Sequence, residues 1–159
     1  MIREVTEKDA AQIAEIYNHY ILHSTASFEV VAVSVAEMEG RIASLRDFPY
    51  YVWEEEGRLL GYCYAHPWKP RAAYSPTLET TIYLRPEATG RGIGLQLMER
   101  LIPECRRRGY RVLIADITAE NTASRAFHES LGFRQISHFE RVGQKFGRSL
   151  DVVDYQLDL

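Results

Sequence analysis

The sequence predicts a single α/β domain in which one mixed, mostly antiparallel sheet carries helices on both faces. Three observations lead there. Hydrophobic periodicity along the chain gives the order β-α-α-β-β-β-α-β-α-β-β. The strand–helix–strand unit over residues 77–117 makes two of those strands parallel, so the sheet is mixed. The chain has 159 residues, 46% apolar and 26% charged, with no linker, internal repeat or low-complexity stretch, so residues 1–159 read as one domain. A chain of this length buries about 68–70% of the surface its unfolded form exposes and needs no metal or disulfide framework to fold.

Residues 2–5 read as a short strand. Thr6 then offers a helix cap with Asp9 in the first turn, and Ile13, Ile16, Tyr17, Tyr20 and Ile21 follow the spacing of an amphipathic helix. Ser34-Val35-Ala36-Glu37 has the spacing of a reciprocal capping box; Met38, Ile42 and Leu45 continue one face, and Pro49 is expected to stop the helix. Residues 50–53 and 59–65 are rich in aromatic and apolar residues, and Glu56-Gly57 between them supplies a hairpin turn. Residues 77–84 read as another central strand.

From residue 92 to 108 the pattern is helical, with Ile93, Leu97, Leu101 and Cys105 every four residues. Pro103, at about 3 kcal/mol for an interior helix position, predicts a kink or an early end there, compensated by packing. The run Val112-Leu113-Ile114-Ala115 suits a strand covered on both faces. Residues 121–131 read as a short helix closed by Gly132, and residues 133–142 and 150–157 as a last pair of strands around a loop at 143–149.

A formal charge of −3 argues against a strongly electropositive nucleic-acid binder. Cys63 and Cys105 lie far apart, form no C-x-x-C, and read as two reduced, partly buried thiols, which implies the cytoplasm. The first residues run directly into charged positions and no stretch approaches the roughly 20 apolar residues of a membrane span, so neither a secretory signal nor a membrane anchor is expected. His19, His23, His66 and His138 show no metal-ligand spacing and read as surface or hydrogen-bonded residues; no metal is expected. Arg106-Arg107-Arg108 reads as a solvated helix end that favours the negative end of the helix dipole.

The most informative stretch is Thr89-Gly90-Arg91-Gly92-Ile93-Gly94-Leu95, where a strand ends and a helix opens. Three glycines at alternate positions remove side chains where backbone N–H groups fan out at a positive helix end, an arrangement that suits a phosphate or pyrophosphate; Arg91 adds a mobile cation. Taken alone, the triplet serves equally well as a tight turn. The spacing is one residue short of the G-x-G-x-x-G dinucleotide fingerprint and lies mid-chain, and no G-K-[ST] follows, so NAD and ATP loops fit poorly.

The loop resembles the acyl-CoA loop of the GNAT superfamily of N-acetyltransferases, [QR]-x-x-G-x-[GA], with Thr89 replacing the usual Gln or Arg. A second stretch, from Asn121-Thr122-Ala123-Ser124 through His128-Glu129-Ser130-Leu131-Gly132-Phe133, resembles the family's N-x-x-[AS]-x-x-x-[YH]-E-x-x-G-[FY] signature. Narrower segments, Tyr17-Asn18-His19-Tyr20, Ser27-Phe28-Glu29, Trp68-Lys69-Pro70-Arg71-Ala72-Ala73-Tyr74 and Leu78-Glu79-Thr80-Thr81-Ile82-Tyr83, resemble the phosphinothricin and methionine sulfone/sulfoximine N-acetyltransferases. One departure is Phe146 in Lys145-Phe146-Gly147, where a K-H-G motif is common, so no role of that histidine carries over.

That resemblance implies a GNAT-like domain using acetyl-CoA as co-substrate. It implies coenzyme contacts from Ile82, Tyr83 and Leu84, from Gly90, Arg91, Gly92, Ile93, Gly94 and Leu95 of the loop, and from Asn121 and Ser124. A backbone N–H near Tyr83 or Leu84 is expected to meet the developing oxyanion. An acceptor amine must lose a proton before attack, and strand alternation puts Glu79 beside Thr81 and Tyr83, just ahead of the loop; it is the candidate base, the alternative being a solvated edge-strand glutamate. His128 is the candidate donor to the leaving thiolate, the alternative being an ordinary polar helix position. Arg71 with Tyr74, Phe28 and Glu29 is the expected acceptor site, a guanidinium that can clamp a carboxylate beside aromatic walls; Trp68 and Tyr74 read equally as packing.

The expected activity is acetyl transfer to a small amino-acid analogue such as phosphinothricin, methionine sulfoximine or methionine sulfone. A peptide, polyamine or other xenobiotic amine is the alternative acceptor, although Lys69 and Arg71 disfavour a cationic one. A non-catalytic acyl-CoA sensor is the alternative class. A homodimer is implied by resemblance; neither nucleic acid nor membrane is expected as a partner.

Overall fold

Alternation along the strands sorts the apolar side chains onto two faces of one sheet, and each face is covered by a pair of helices. The computed structural model describes residues 1–159. Its elements are β1 (Ile2–Glu4), α1 (Ala10–His23), α2 (Val35–Ser44), β2 (Tyr50–Glu55), β3 (Arg58–Pro67), β4 (Thr77–Leu84), α3 (Ile93–Arg107), β5 (Val112–Thr118), α4 (Thr122–Ser130), β6 (Arg134–Lys145) and β7 (Arg148–Asp158), with short 3-10 turns at Glu7–Asp9, Ala72–Tyr74 and Pro86–Ala88. The seven strands lie in the order β1-β2-β3-β4-β5-β7-β6. Only β4 and β5 are parallel, as the strand–helix–strand unit predicts.

On one face Ile13 and Ile16 of α1 and Met38 and Ile42 of α2 pack on Val52, Leu59 and Tyr62. On the other, Leu97, Met98 and Leu101 of α3 pack on Cys63, Ala65, Leu113 and Tyr155, with Phe127 of α4 at the margin. Cys63 and Cys105 are free and buried. No helix is long and apolar enough to cross a membrane.

The caps are partly as the sequence implies. Asp9 accepts from the Thr6 amide at 2.8 Å, but this closes a 3-10 turn and the α-helix starts at Ala10. Ser34 accepts from the Glu37 amide at 3.1 Å, whereas the Glu37 carboxylate pairs with Arg41 at 3.0 Å. The helix ends at Ser44, ahead of Pro49.

Two expectations are corrected. The third helix does not end at Pro103; it runs to Arg107. Leu101 and Cys105, both 0% exposed, flank the proline on the core face. Burying an aliphatic side chain contributes about 1.5–3 kcal/mol, so continuing the stripe offsets the proline's cost of about 3 kcal/mol. Glu104 then closes the last turn through Arg107 and Arg108 at 2.6 and 2.7 Å.

The loop expected at 143–149 shrinks to Phe146 and Gly147, with φ of 52° and 70°. Two successive positive-φ residues match the right-handed twist of the flanking strands, so β6 and β7 pair up to Lys145 and Arg148. Pairing also brings Gly143 under Phe28: a Cβ there would lie 2.2 Å from the Phe28 ring, so only glycine permits this approach.

Candidate active site

The parallel ladder between β4 and β5 is short. It holds Thr77 to Val112, Leu78 to Leu113 and Glu79 to Ile114, and stops. Beyond Glu79 the two strands part and open a cleft of about 360 Å³, walled by Thr80 to Tyr83 on one side and Ala115 to Thr118 on the other. The amides at this gap follow from the register with β3. The Arg85 N–H donates to the Leu60 carbonyl at 2.8 Å, so alternation turns the N–H groups of Ile82 and Leu84 to the opposite edge, toward the gap. The Tyr83 N–H faces β3 by the same alternation, which leaves Leu84 of the two amides the sequence suggested and adds Ile82.

Glu79 stands at the neck of the gap. Its Oε2 lies 3.1 Å from His66 Nε2, the residue directly across the β3–β4 ladder, and His66 Nδ1 lies 3.0 Å from the Pro67 carbonyl oxygen. Burial works against a charged His66, but the hydrogen bond and charge of Glu79 outweigh it and hold His66 above the usual histidine value. Asp116, across the gap, faces Asp154 in the β5–β7 register. Part of Asp116 stays open to solvent, yet the walls of the cleft, its hydrogen bond with Asp154 and the charges of Asp154 and Glu79 push its carboxyl up to about 7.

The far wall is the segment that follows α1. Phe28 and Glu29, expected at the acceptor site, do line the cleft. Arg41 of α2 holds Glu29 with Nη1 and Nη2 at 2.9 and 2.7 Å from its two oxygens, and the Tyr17 hydroxyl donates to the same carboxylate. The Arg41 hydrogen bonds keep Glu29 below the usual carboxylate range. Tyr83 donates to the Ala26 carbonyl at 3.2 Å, and buried Lys145 donates to the Ser24 and Ser27 carbonyls at 2.7 Å each. Arg41, Tyr17 and His66 line the cleft and have no site role in the sequence reading; Lys145 stands outside the lining and braces the wall segment. Arg71 and Tyr74 do not line this cleft. They lie on the exposed segment joining β3 to β4, where Tyr74 meets Trp68 edge-on with ring centroids 5.3 Å apart.

At the opposite end β4 runs into the glycine loop. Gly90 and Gly92 take φ of 76° and 77°, conformations that favour glycine, while Gly94 lies in the first turn of the helix, where an added Cβ would come 3.5 Å from the Phe127 ring. The amides of residues 90–95 donate to no protein acceptor, so a run of N–H groups is left at the positive end of a 15-residue helix. That donor set fits a diphosphate. Arg91 pairs with Glu55 at 3.0 Å, Leu95 is exposed, and the Thr89 hydroxyl donates to the Pro86 carbonyl at 2.8 Å rather than into the loop.

Asn121 caps α4, its Oδ1 accepting from the Ser124 amide at 3.2 Å; both residues line the cleft. His128, 4% exposed, lies 2.8 Å through Nδ1 from the Ser124 carbonyl. A carbonyl only accepts, so Nδ1 carries the hydrogen and the neutral ring has a bare Nε2. Burial lowers the His128 pKa, which favours that neutral form.

Residues 2–153 match the family model of the acetyltransferase (GNAT) domain. The chain belongs to the GNAT acetyltransferase family. The phosphinothricin N-acetyltransferase of Alcaligenes faecalis is 42% identical to this GNAT domain, over 99% of this chain and 82% of the relative. The L-methionine sulfoximine/L-methionine sulfone acetyltransferase of Salmonella typhimurium is 38% identical, over 99% of this chain and 94% of the relative. The solved phosphinothricin acetyltransferase of Sinorhizobium meliloti, in complex with acetyl-CoA, superposes with a TM-score of 0.96 at 36% identity, covering 100% of this chain and 88% of that one. A Salmonella typhimurium acetyltransferase solved with acetyl-CoA gives 0.97 at 37% identity, covering 100% and 93%. The resemblance read from the two glycine-bearing motifs is borne out at the level of the family and the GNAT fold.

Proposed function

We propose that this GNAT domain transfers an acetyl group from acetyl-CoA to the amino group of a small amino-acid analogue of the phosphinothricin, methionine sulfoximine or methionine sulfone type. One observation carries the proposal: the gap between β4 and β5 has a carboxylate, Glu79, at its neck, and β4 leads from there into the free amides of the glycine loop. The relatives named above support the substrate class.

Bound acetyl-CoA supplies a thioester as acetyl donor. The amides of residues 90–95 hold its diphosphate, with Arg91 free to exchange Glu55 for a phosphate oxygen. Glu79 takes the proton from the acceptor ammonium and so exposes the nitrogen lone pair. The Ile82 and Leu84 amides donate to the oxygen that gains charge when that nitrogen attacks. Phe28 and the Arg41–Glu29 pair shape the acceptor wall. Arg71, on the segment between β3 and β4 outside the cleft lining, is the proposed cation that draws in the acceptor carboxylate, with Tyr74 on the same segment. A free coenzyme thiol has a pKa near the thiol reference of about 8.5, so the leaving group needs no strong acid, and His128 serves mainly to close the cleft floor.

Buried free thiols at Cys63 and Cys105 support a reducing, cytoplasmic setting. Exposed Ile136, Phe139 and Val142 along the edge strand β6 support a homodimer, which mass measurement in solution tests.

The activity is tested by thiol release from acetyl-CoA against methionine sulfone, methionine sulfoximine, phosphinothricin, spermidine and a lysine peptide. Turnover with the first three is expected. Turnover confined to spermidine or the peptide rejects the substrate class, and tight coenzyme binding with no turnover at all favours a sensor.

A further inference from the structure

Two contacts constrain the protons on His66. Its Nδ1 lies 3.0 Å from the Pro67 carbonyl oxygen, which only accepts, so Nδ1 carries hydrogen. Its Nε2 lies 3.1 Å from Glu79 Oε2, and an ionised carboxylate also only accepts. Both contacts therefore exist together only when the pair holds one proton more than a neutral imidazole and a carboxylate have between them. The geometry seen is therefore the proton-loaded pair; once that proton has left to solvent, lone pairs on Nε2 and Oε2 face each other, the contact weakens, and the pair is ready to take another.

We infer that His66 and Glu79 act as one proton-accepting unit, in which the proton taken from the acceptor ammonium by Glu79 passes to Nε2 of His66. The inference rests on the reading of Glu79 as the base. The ammonium N–H bond breaks with its electron pair left on nitrogen, a transient carboxylic acid forms at Glu79, and the proton ends on His66 as an imidazolium beside the regenerated carboxylate. No other reactant is needed.

Geometry supports an outlet as well as a store. Both side chains line the cleft, His66 29% and Glu79 25% exposed, so the imidazolium keeps access to water through which its proton can leave. The Pro67 carbonyl fixes the ring so that Nε2, and not Nδ1, faces the carboxylate. The groups that face the pair are few. Tyr64, two residues earlier on β3, has its ring 5.8 Å from that of His66; Asp116 of β5 feels the Glu79 charge, with Asp154 of β7 behind it; Arg41 and Glu29 act on Tyr64 from the far wall.

His66 acts through Glu79, so it is a positioning and relay residue, and its test needs readouts that a purely structural role leaves unmoved. The first is an NMR titration of the histidine ring signals, with the His66 signal identified by its loss in His66→Gln. The wild-type signal is expected to titrate above the ordinary histidine value of about 6.5 and to fall back in Glu79→Gln. The second is the pH profile of kcat/KM for the acceptor. His66→Gln is expected to lose about tenfold or more at pH 8 with the acetyl-CoA KM held within about twofold, and its acid limb moves to lower pH because glutamine does not titrate. In His66→Ala, added imidazole is expected to restore part of the lost rate. A superimposable pH profile in His66→Gln, or a His66 titration that ignores Glu79→Gln, overturns the inference. Absence of turnover in the wild type instead rejects the acetyltransferase reading, and the NMR titration still decides whether the two residues share a proton.

Discussion

Arg41 grips Glu29 with both terminal nitrogens, at 2.9 and 2.7 Å, and so ties α2 to the segment that forms the acceptor wall. Glu29 is thereby committed: its oxygens already receive Arg41 and the Tyr17 hydroxyl. The pair shapes the cleft, whereas Glu79, which meets His66 through Oε2 alone, keeps its second oxygen for an amine.

Removing the grip releases the wall. Arg41→Ala is expected to raise the acceptor KM about tenfold or more while the acetyl-CoA KM stays within about twofold. Arg41→Lys is expected to rescue little, because an ammonium offers a point charge where a planar fork is needed. Steady-state kinetics with each substrate varied in turn check both.

The His128 ring is buried, neutral and without a hydrogen on Nε2, so it is a poor stock of protons at neutral pH. His128→Asn is expected to keep kcat within about fivefold of wild type while lowering Tm, since the ring packs edge-on against Phe127 and Phe133. General acid catalysis contributes about 10²- to 10⁴-fold, so a loss of that size in kcat alone restores His128 as the thiolate's proton donor.

Phe146 holds a positive φ of 52° with its side chain largely exposed. Asparagine accepts that conformation more readily than an aromatic residue. Phe146→Asn is expected to stabilise the protein by about 1 kcal/mol, seen as a rise in Tm of about 2–4 °C. An unchanged or lower Tm would mean that the ring's contact with the Lys145 ammonium, 5.2 Å away, matters more than backbone strain.

Asp116 supplies a pH test with a definite sign. Its carboxyl is raised to about 7 by burial and Asp154, so folding favours the protonated form. The contribution is unpenalised below the unfolded value of about 3.9, and stability declines as pH rises from there through about 7. Asp116→Asn removes the ionisation. Its Tm is expected to exceed that of wild type at pH 8 and to converge on it at pH 4; a difference that is flat with pH contradicts the shift.

How far the sequence carries differs by element, for physical reasons. The strand over residues 77–84 appears in the structure with the same bounds, because its β-branched and aromatic residues and the flanking prolines leave little choice. The helix at 93–107 outlasts the local penalty of Pro103 because distant core contacts decide it. The last pair of strands is legible, but its connection reads too long, at 143–149, because the two-residue turn uses an aromatic residue where glycine or asparagine is usual.

The site divides in the same way. Glu79 and the glycine loop are local signals, legible from a strand running into G-x-G-x-G. Arg41 and His66 are defined by partners brought together through packing. Arg41 reads as an exposed helix charge until the α1–α2 packing sets it beside Glu29. His66 faces Glu79 only in one β3–β4 register, which the irregular segment at 68–76 fixes and its composition does not reveal. A register argument extending the predicted strands would have found it, since both residues fall on the same face as Tyr64 and Thr81.

The central claim is that Glu79 at the neck of the strand gap accepts the amine's proton in acetyl transfer. The most direct measurement is the mass-spectrometric yield of N-acetylated methionine sulfone, with acetyl-CoA saturating, for wild type and Glu79→Gln at pH 8. Acceptor-dependent product in the wild type, reduced about 100-fold or more in the variant with the acetyl-CoA KM unchanged, is the predicted result. Equal rates in the two proteins, or no acetylated amine from either, contradict it.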